Sequence, residues 1–220
     1  MNITIDHTLL KPDTTATQIS TLCAEAREHA FASVCVLPTY VHQANELLDG
    51  SNVAVCTVIG FPLGATYGMV KAHEAKEAIV RGATEVDMVM NIADLKNGNF
   101  NDVLFDIEEV VEQAHSLGAL VKVIIETCLL TDDEKKRASE IVTTSQADFI
   151  KTSTGFSTGG ATVEDVVLLR ASIGKYVRIK ASGGIRTPEF AMQLIEAGAS
   201  RLGTSSGVQL VHGVSAKSSY

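Results

Sequence analysis

Short β-branched runs alternate with longer amphipathic segments from one end of the chain to the other. Read as strands, the short runs fall at residues 33–37, 53–59, 85–91, 120–126, 148–152, 177–181 and 200–203. Between two of them, residues 101–117 place Val103, Ile107, Val110, Val111, Ala114 and Leu117 at helical spacing, which predicts an amphipathic helix. Thr131-Asp-Asp-Glu134 reads as a capping box, and Thr187-Pro188 as an N-cap followed by proline at the first helical position. Gly82, Gly118, Gly174 and Gly198 each stand just past a helical pattern, where a left-handed C-cap is expected. An eighth strand at residues 3–8 rests on Ile3 and Ile5 alternating with Thr4 and Asp6. Eight strand–helix units predict an α/β fold, the closed (β/α)8 or TIM barrel, spanning residues 1–220 as one domain with a flexible tail from about 213. An open doubly wound sheet is the competing architecture if the first strand is not real.

In a barrel, alternate residues of each strand face the helices and must be apolar, which fixes the parity of the rest. Val86, Met88 and Met90 then face out and leave Asp87, Val89 and Asn91 inward; Val121, Val123 and Ile125 leave Lys122, Ile124 and Glu126 inward. Ile150 facing out turns Lys151 in, Ile179 does the same for Lys180, and Asp6 joins them from the first strand. Arg178 shares the inward parity but sits deeper, without an assigned role. Charged groups are costly to bury unless paired, so this many at the strands' C-terminal ends mark a catalytic site or, alternatively, an ion-pair network that only plugs the barrel.

Composition narrows the field. The 220 residues carry a net charge of −8, which argues against a nucleic-acid or membrane-surface binder. The most apolar stretch, residues 120–130, is interrupted by Lys122 and Glu126 and is too short to span a bilayer. The N-terminus shows no signal pattern. Cys23, Cys35, Cys56 and Cys128 form no CxxC pair; four buried, reduced thiols in a cytoplasmic protein is the expectation, with no metal site.

The inward lysines suggest amine chemistry. A lysine is nucleophilic only when neutral, and at an ordinary pKa of about 10.4 only about one amine in 2,000 is neutral at pH 7. A second ammonium nearby and partial desolvation both favour the neutral form. Such an amine condenses with a carbonyl, and the iminium draws electrons from a breaking C–C bond while Asp87 shuttles protons through water. Spacing alone does not say which lysine is the nucleophile. Ser182-Gly183-Gly184 follows the seventh strand and Gly203-Thr204-Ser205-Ser206-Gly207 the eighth, the loops where such barrels hold phosphate; Thr152-Ser153-Thr154-Gly155 adds donors after the sixth.

The stretch Asp148-Phe-Ile-Lys-Thr-Ser-Thr-Gly-Phe156 resembles the Schiff-base segment of the deoxyribose-phosphate aldolase family. Val58-Ile-Gly-Phe-Pro-Leu-Gly64, Glu85-Val-Asp-Met-Val-Met-Asn91, Val121-Lys-Val-Ile-Ile-Glu-Thr127 and Ile179-Lys-Ala-Ser-Gly-Gly-Ile-Arg186 agree with it in order and spacing. The resemblance implies Lys151 as the Schiff-base lysine, Lys180 as its tuning and proton-transfer partner, and Asp87 as general acid/base. It places Lys122 and Asp6 in a supporting network, and Gly155, Gly183, Gly184, Ser205 and Ser206 at a substrate phosphate. Cys35 matches a cysteine of the family's acetaldehyde pocket, although a core thiol fits equally. The implied reaction is reversible, cofactor-free cleavage of 2-deoxy-D-ribose 5-phosphate to acetaldehyde and D-glyceraldehyde 3-phosphate by a homodimer. Some family members end in a tyrosine that assists proton transfer, and this chain ends in Tyr220; a frayed tail is the other reading.

Three rival functions differ in what they require. A metal-dependent aldolase needs clustered ligands, yet His7, His29, His42, His73, His115 and His212 are scattered. A phosphosugar isomerase would share the phosphate loops without a Schiff base. A non-catalytic phosphate-binding barrel would have little use for an inward lysine pair.

Overall fold

Eight parallel strands close into a barrel in sequence order, in a computed structural model that describes residues 1–216. The strands are Ile5–Leu9 (β1), Ser33–Val36 (β2), Ala54–Ile59 (β3), Glu85–Val89 (β4), Leu120–Ile124 (β5), Phe149–Lys151 (β6), Arg178–Ser182 (β7) and Arg201–Thr204 (β8). Around them run Ala16–Glu28 (α1), Val41–Leu48 (α2), Gly68–Val80 (α3), Ile92–Lys96 (α4), Phe100–Ser116 (α5), Asp132–Thr144 (α6), Val163–Ser172 (α7), Pro188–Glu196 (α8) and Gly207–Val211 (α9). The barrel, and not the open sheet, follows from β1 pairing with both β2 and β8. Among the described residues no helix is long and apolar enough to cross a membrane.

The first strand starts later than its alternation suggested. Residues Asn2–Thr4 form a 3-10 turn and leave Ile3 78% exposed, so Ile5 is the first fully buried side chain of the core. Expected strands 85–91 and 120–126 end at Val89 and Ile124, because Asn91 turns to cap α4 and Glu126 adopts a left-handed backbone at φ 52°. The capping box at Thr131 and the Thr187 cap, with proline behind it, are present. Gly82, Gly118 and Gly198 are left-handed as expected, but Gly174 is not. There α7 ends in extended backbone at Ile173, and glycine is required because a Cβ would lie 2.6 Å from the Thr143 methyl carbon.

The outward strand residues and the inner helix faces form one apolar layer. Val34, Val86, Met88, Val121, Val123, Ile150 and Ile179 are fully buried there against Ile19, Ile107, Val110, Val166 and Leu194. Burial of a side chain this size contributes on the order of 1.5–3 kcal/mol, and this layer is what forces the polar parity inward. The barrel interior therefore holds what the helices reject.

Candidate active site

Asp6, Asp87, Lys122 and Lys180 are fully buried inside the barrel, and Lys151 is 3% exposed. Register brings them together, since Asp87 is opposite Lys122 across β4–β5 and Lys151 is opposite Lys180 across β6–β7. Asp87 is the hub. Its Oδ2 accepts from Lys151 Nζ and Lys180 Nζ, each at 2.7 Å, and its Oδ1 accepts from Lys122 Nζ at 2.9 Å. Lys180 also pairs with Asp6 at 2.6 Å, and Lys122 with Glu85 at 2.6 Å. Arg201 on β8 closes the set from below, 2.5 Å from Asp6 and 2.9 Å from Glu85.

Burial opposes ionisation throughout this cluster, yet the mutual charges outweigh it. Desolvation would raise Asp87, but Lys122, Lys151 and Lys180 hold its carboxyl well below the usual carboxylate range. Asp6 is depressed likewise, against its own desolvation, by Lys180, Lys122 and Arg201. Burial would lower Lys122 and Lys180; Asp87 and its neighbouring anions keep Lys122 well above the ordinary lysine value, and Asp6 and Asp87 do the same for Lys180.

Among the described residues four cations, Lys122, Lys151, Lys180 and Arg201, thus face three carboxylates, Asp6, Glu85 and Asp87. Lys151 is distinguished twice. Among the described residues it pairs with one carboxylate where each of the others touches at least two, and it alone of the four lines the open cavity above.

That cavity, about 560 Å³, lies at the strands' C-terminal ends and is bounded by Gly155, Gly183, Gly184, Ser205 and Ser206. The three loops around it are stitched together. Ala161 N donates to the carbonyls of Ser182 and Gly183, and Thr204 Oγ1 donates to the Ile185 carbonyl. Gly160 and Gly183 touch so closely that a Cβ on Gly160 would sit 2.3 Å from the Gly183 oxygen. The result is a polar end walled by backbone and hydroxyl donors, suited to an anion, and an amine at its inner end.

The fold and this geometry agree with the comparisons. A model of the DeoC/LacD family of aldolases matches residues 1–213. The chain belongs to the DeoC/LacD aldolase family. Within that family it is 56% identical over 216 residues to a deoxyribose-phosphate aldolase of Lysinibacillus sphaericus (strain C3-41), covering 98% of this chain and 96% of that one. It is 57% identical over 220 residues to one of Streptococcus suis (strain 98HAH33), covering 100% and 99%. A deoxyribose phosphate aldolase of Aeropyrum pernix, described as a unique tetramer, superimposes with a TM-score of 0.90 at 34% identity, covering 96% of this chain and 89% of that one.

In this DeoC/LacD aldolase, two sequence expectations need correction and one residue without an assigned role gains a place. Glu126 is buried but leaves the charged cluster. Its left-handed backbone turns it to the loop after β6, where it accepts from Thr154 N at 3.2 Å and from the Thr154 hydroxyl. Cys128 is exposed, so three thiols rather than four are buried. Arg178 acquires a place, stacked 4.0 Å above the buried Phe149 ring at the barrel's lower end, with Arg201 at 5.8 Å and Lys122 at 5.9 Å from the same ring. Glu85, Arg201 and Phe149 were missed. Glu85 has Asp87's parity, Phe149 has that of Lys151, and Leu202 facing out would have turned Arg201 in. Arg186 also lines the cavity without having been assigned a role. Among the described residues, the one group of potential metal-ligating atoms is Cys35, Cys56 and Asp87, within 4.8 Å of one another. Asp87 is already shared by three ammoniums, which leaves that group little capacity for a cation. Tyr220 lies outside the described residues.

Proposed function

We propose that this chain is a class I aldolase that cleaves 2-deoxy-D-ribose 5-phosphate reversibly to acetaldehyde and D-glyceraldehyde 3-phosphate, with Lys151 as the Schiff-base lysine. The observation that carries the assignment among the three lysines is the charge count. With four cations on three carboxylates, loss of one proton balances the cluster. Lys151, with a single carboxylate partner among the described residues and a face on the cavity, is the amine that a substrate carbonyl can reach.

The chemistry follows from that placement. Neutral Lys151 adds to the C1 carbonyl, and the carbinolamine loses water as Asp87 relays a proton. The C3 hydroxyl gives up its proton through water to Asp87, the C2–C3 bond breaks, and its electron pair is taken up by the iminium. The three-carbon aldehyde phosphate leaves, and C2 of the enamine is reprotonated. Hydrolysis then frees acetaldehyde and the amine. Held low by its lysines, Asp87 passes protons without retaining them, and Lys180 keeps it oriented. Lys122 and Asp6 hold the network from beneath, and Gly155, Gly183, Gly184, Ser205 and Ser206 supply the phosphate site. Tyr220 is retained as a proton-transfer candidate on the resemblance alone. A cytoplasmic homodimer belongs to the same reading; exposed Tyr67, Met69, Val70 and Phe105 on and beside α3 and α5 offer apolar surface for a second copy to cover.

Borohydride reduction in the presence of deoxyribose 5-phosphate, followed by peptide mass mapping, tests the assignment. The substrate-derived mass is expected on the peptide carrying Lys151. Label on Lys122 or Lys180 instead would overturn it.

A further inference from the structure

Two thiols stand beside Asp87 without a part in the reaction above. Cys35 on β2 and Cys56 on β3 are direct partners in the strand register, both point into the barrel, and both are fully buried. Their sulfurs and an Asp87 oxygen lie within 4.8 Å of one another. Neighbouring strands run about 4.8 Å apart, which is inside the range of Cα separations that a disulfide spans. The two sulfurs, within 4.8 Å of one another, have to close to about 2.05 Å for a bond to form.

We infer that Cys35 and Cys56 form an oxidation site, a thiol pair that hydrogen peroxide converts to a disulfide and that thereby disables the adjoining Asp87. The effect on turnover rests on the aldolase reading; the disulfide itself does not. Cys56 Sγ donates to Asp87 Oδ1 at 3.1 Å and accepts from Lys122 Nζ at 3.3 Å. A disulfide sulfur has no hydrogen to donate, so Asp87 loses one of its partners when the bond forms. The two thiols differ in a way that orders the steps. The neighbouring Cys56 thiol, against burial, and then Lys180 and Lys151 lower Cys35, whereas burial and Cys35 push Cys56 up.

Cys35 gives up its proton and as thiolate attacks one peroxide oxygen, the O–O bond breaks, and the departing hydroxide takes up that proton and leaves as water, giving a sulfenic acid. Cys56 sulfur then attacks that sulfur and releases its proton, the S–O bond breaks, and a second water leaves. Two thiols are oxidised by two electrons and one peroxide is reduced to two waters. Peroxide is neutral and close to water in size. The pair shares a small apolar cluster with Leu10, Val58, Leu37 and Phe61, of which Leu10 also lines the cavity.

The test uses the full chain carrying Cys128→Ser, which takes the exposed thiol out of the readout. Peroxide treatment is expected to yield a linked peptide pair containing Cys35 and Cys56 and to lower retro-aldol turnover about tenfold or more, with dithiothreitol restoring it. In Cys35→Ser and Cys56→Ser variants, each measured against its own untreated sample, the reversible loss should vanish. Absence of the linked pair would overturn the proposal, and so would a linked pair with turnover intact. Absence of turnover before treatment would instead overturn the aldolase reading, while the peptide map would still decide whether the pair oxidises.

Discussion

Lys151 and Lys180 touch one and the same Asp87 oxygen, each at 2.7 Å, so a change at either is felt by the other without any intermediary. Lys180→Leu removes one cation and leaves three facing three carboxylates, so the cluster no longer carries a surplus positive charge. The acid limb of the pH–rate profile should then move to higher pH, and turnover near pH 7 should fall by about a hundredfold. An unshifted profile in a folded variant would refute the like-charge effect. Parity made Asp87, Lys122, Lys151 and Lys180 legible, because their strands have an unambiguous apolar face, whereas Asp6 rested on an alternation of which Ile5 is buried and Ile3 is exposed. The choice among the lysines was not legible. It depends on how many carboxylates each ammonium meets and on the overall charge count, which is completed by Glu85 and Arg201, 116 residues apart.

Between the barrel and its helices, α3 and α5 hold a second charge pair that alternation conceals. Lys71 is fully buried, 2.7 Å from Asp106, and donates to the Val89 carbonyl at the end of β4, the strand that carries Asp87. Burial lowers Lys71 and raises Asp106, and among the described residues Asp106 Oδ1 has no hydrogen-bond partner. Lys71→Met should therefore cost about 3–5 kcal/mol in urea denaturation, since it strands a buried carboxylate, and adding Asp106→Asn should recover most of that loss. Equal stability of the single and double variants would show that the carboxylate is not the source of the cost. A lysine on a helix reads as a solvated position in sequence, and its partner here is 35 residues away. The strands themselves were readable to within a few residues. Their C-terminal limits were not, because Asn91 and Glu126 leave the ladder for a helix cap and a left-handed turn that hydrophobicity does not register.

At the scale of the whole molecule, β1, β4, β5, β6, β7 and β8 all send a charge into one cluster, so folding and ionisation are linked. The sign follows from the depressed carboxyls. Asp6 and Asp87 have folded values below the unfolded value of about 3.9, so their stabilisation is fully present above that pH. Below it the unfolded chain binds protons that the native state still refuses, and each group removes about 1.4 kcal/mol per pH unit until its own folded value is reached. Asp106 acts in the opposite sense, its raised carboxyl gaining stability as pH falls through the window above 3.9. Stability measured by urea unfolding should accordingly hold down to about pH 4 and then fall steeply. Asp6→Asn lowers the plateau, because Lys180 and Arg201 each lose an anion, but the informative quantity is the slope below pH 4. It should be shallower than in the parent by about 1.4 kcal/mol per pH unit, one proton's worth, with the remaining carboxylates common to both proteins. Identical slopes would mean that Asp6 is already protonated in the native barrel, and an uncharged Asp6 would remove one of the three anions on which the charge count for Lys151 depends.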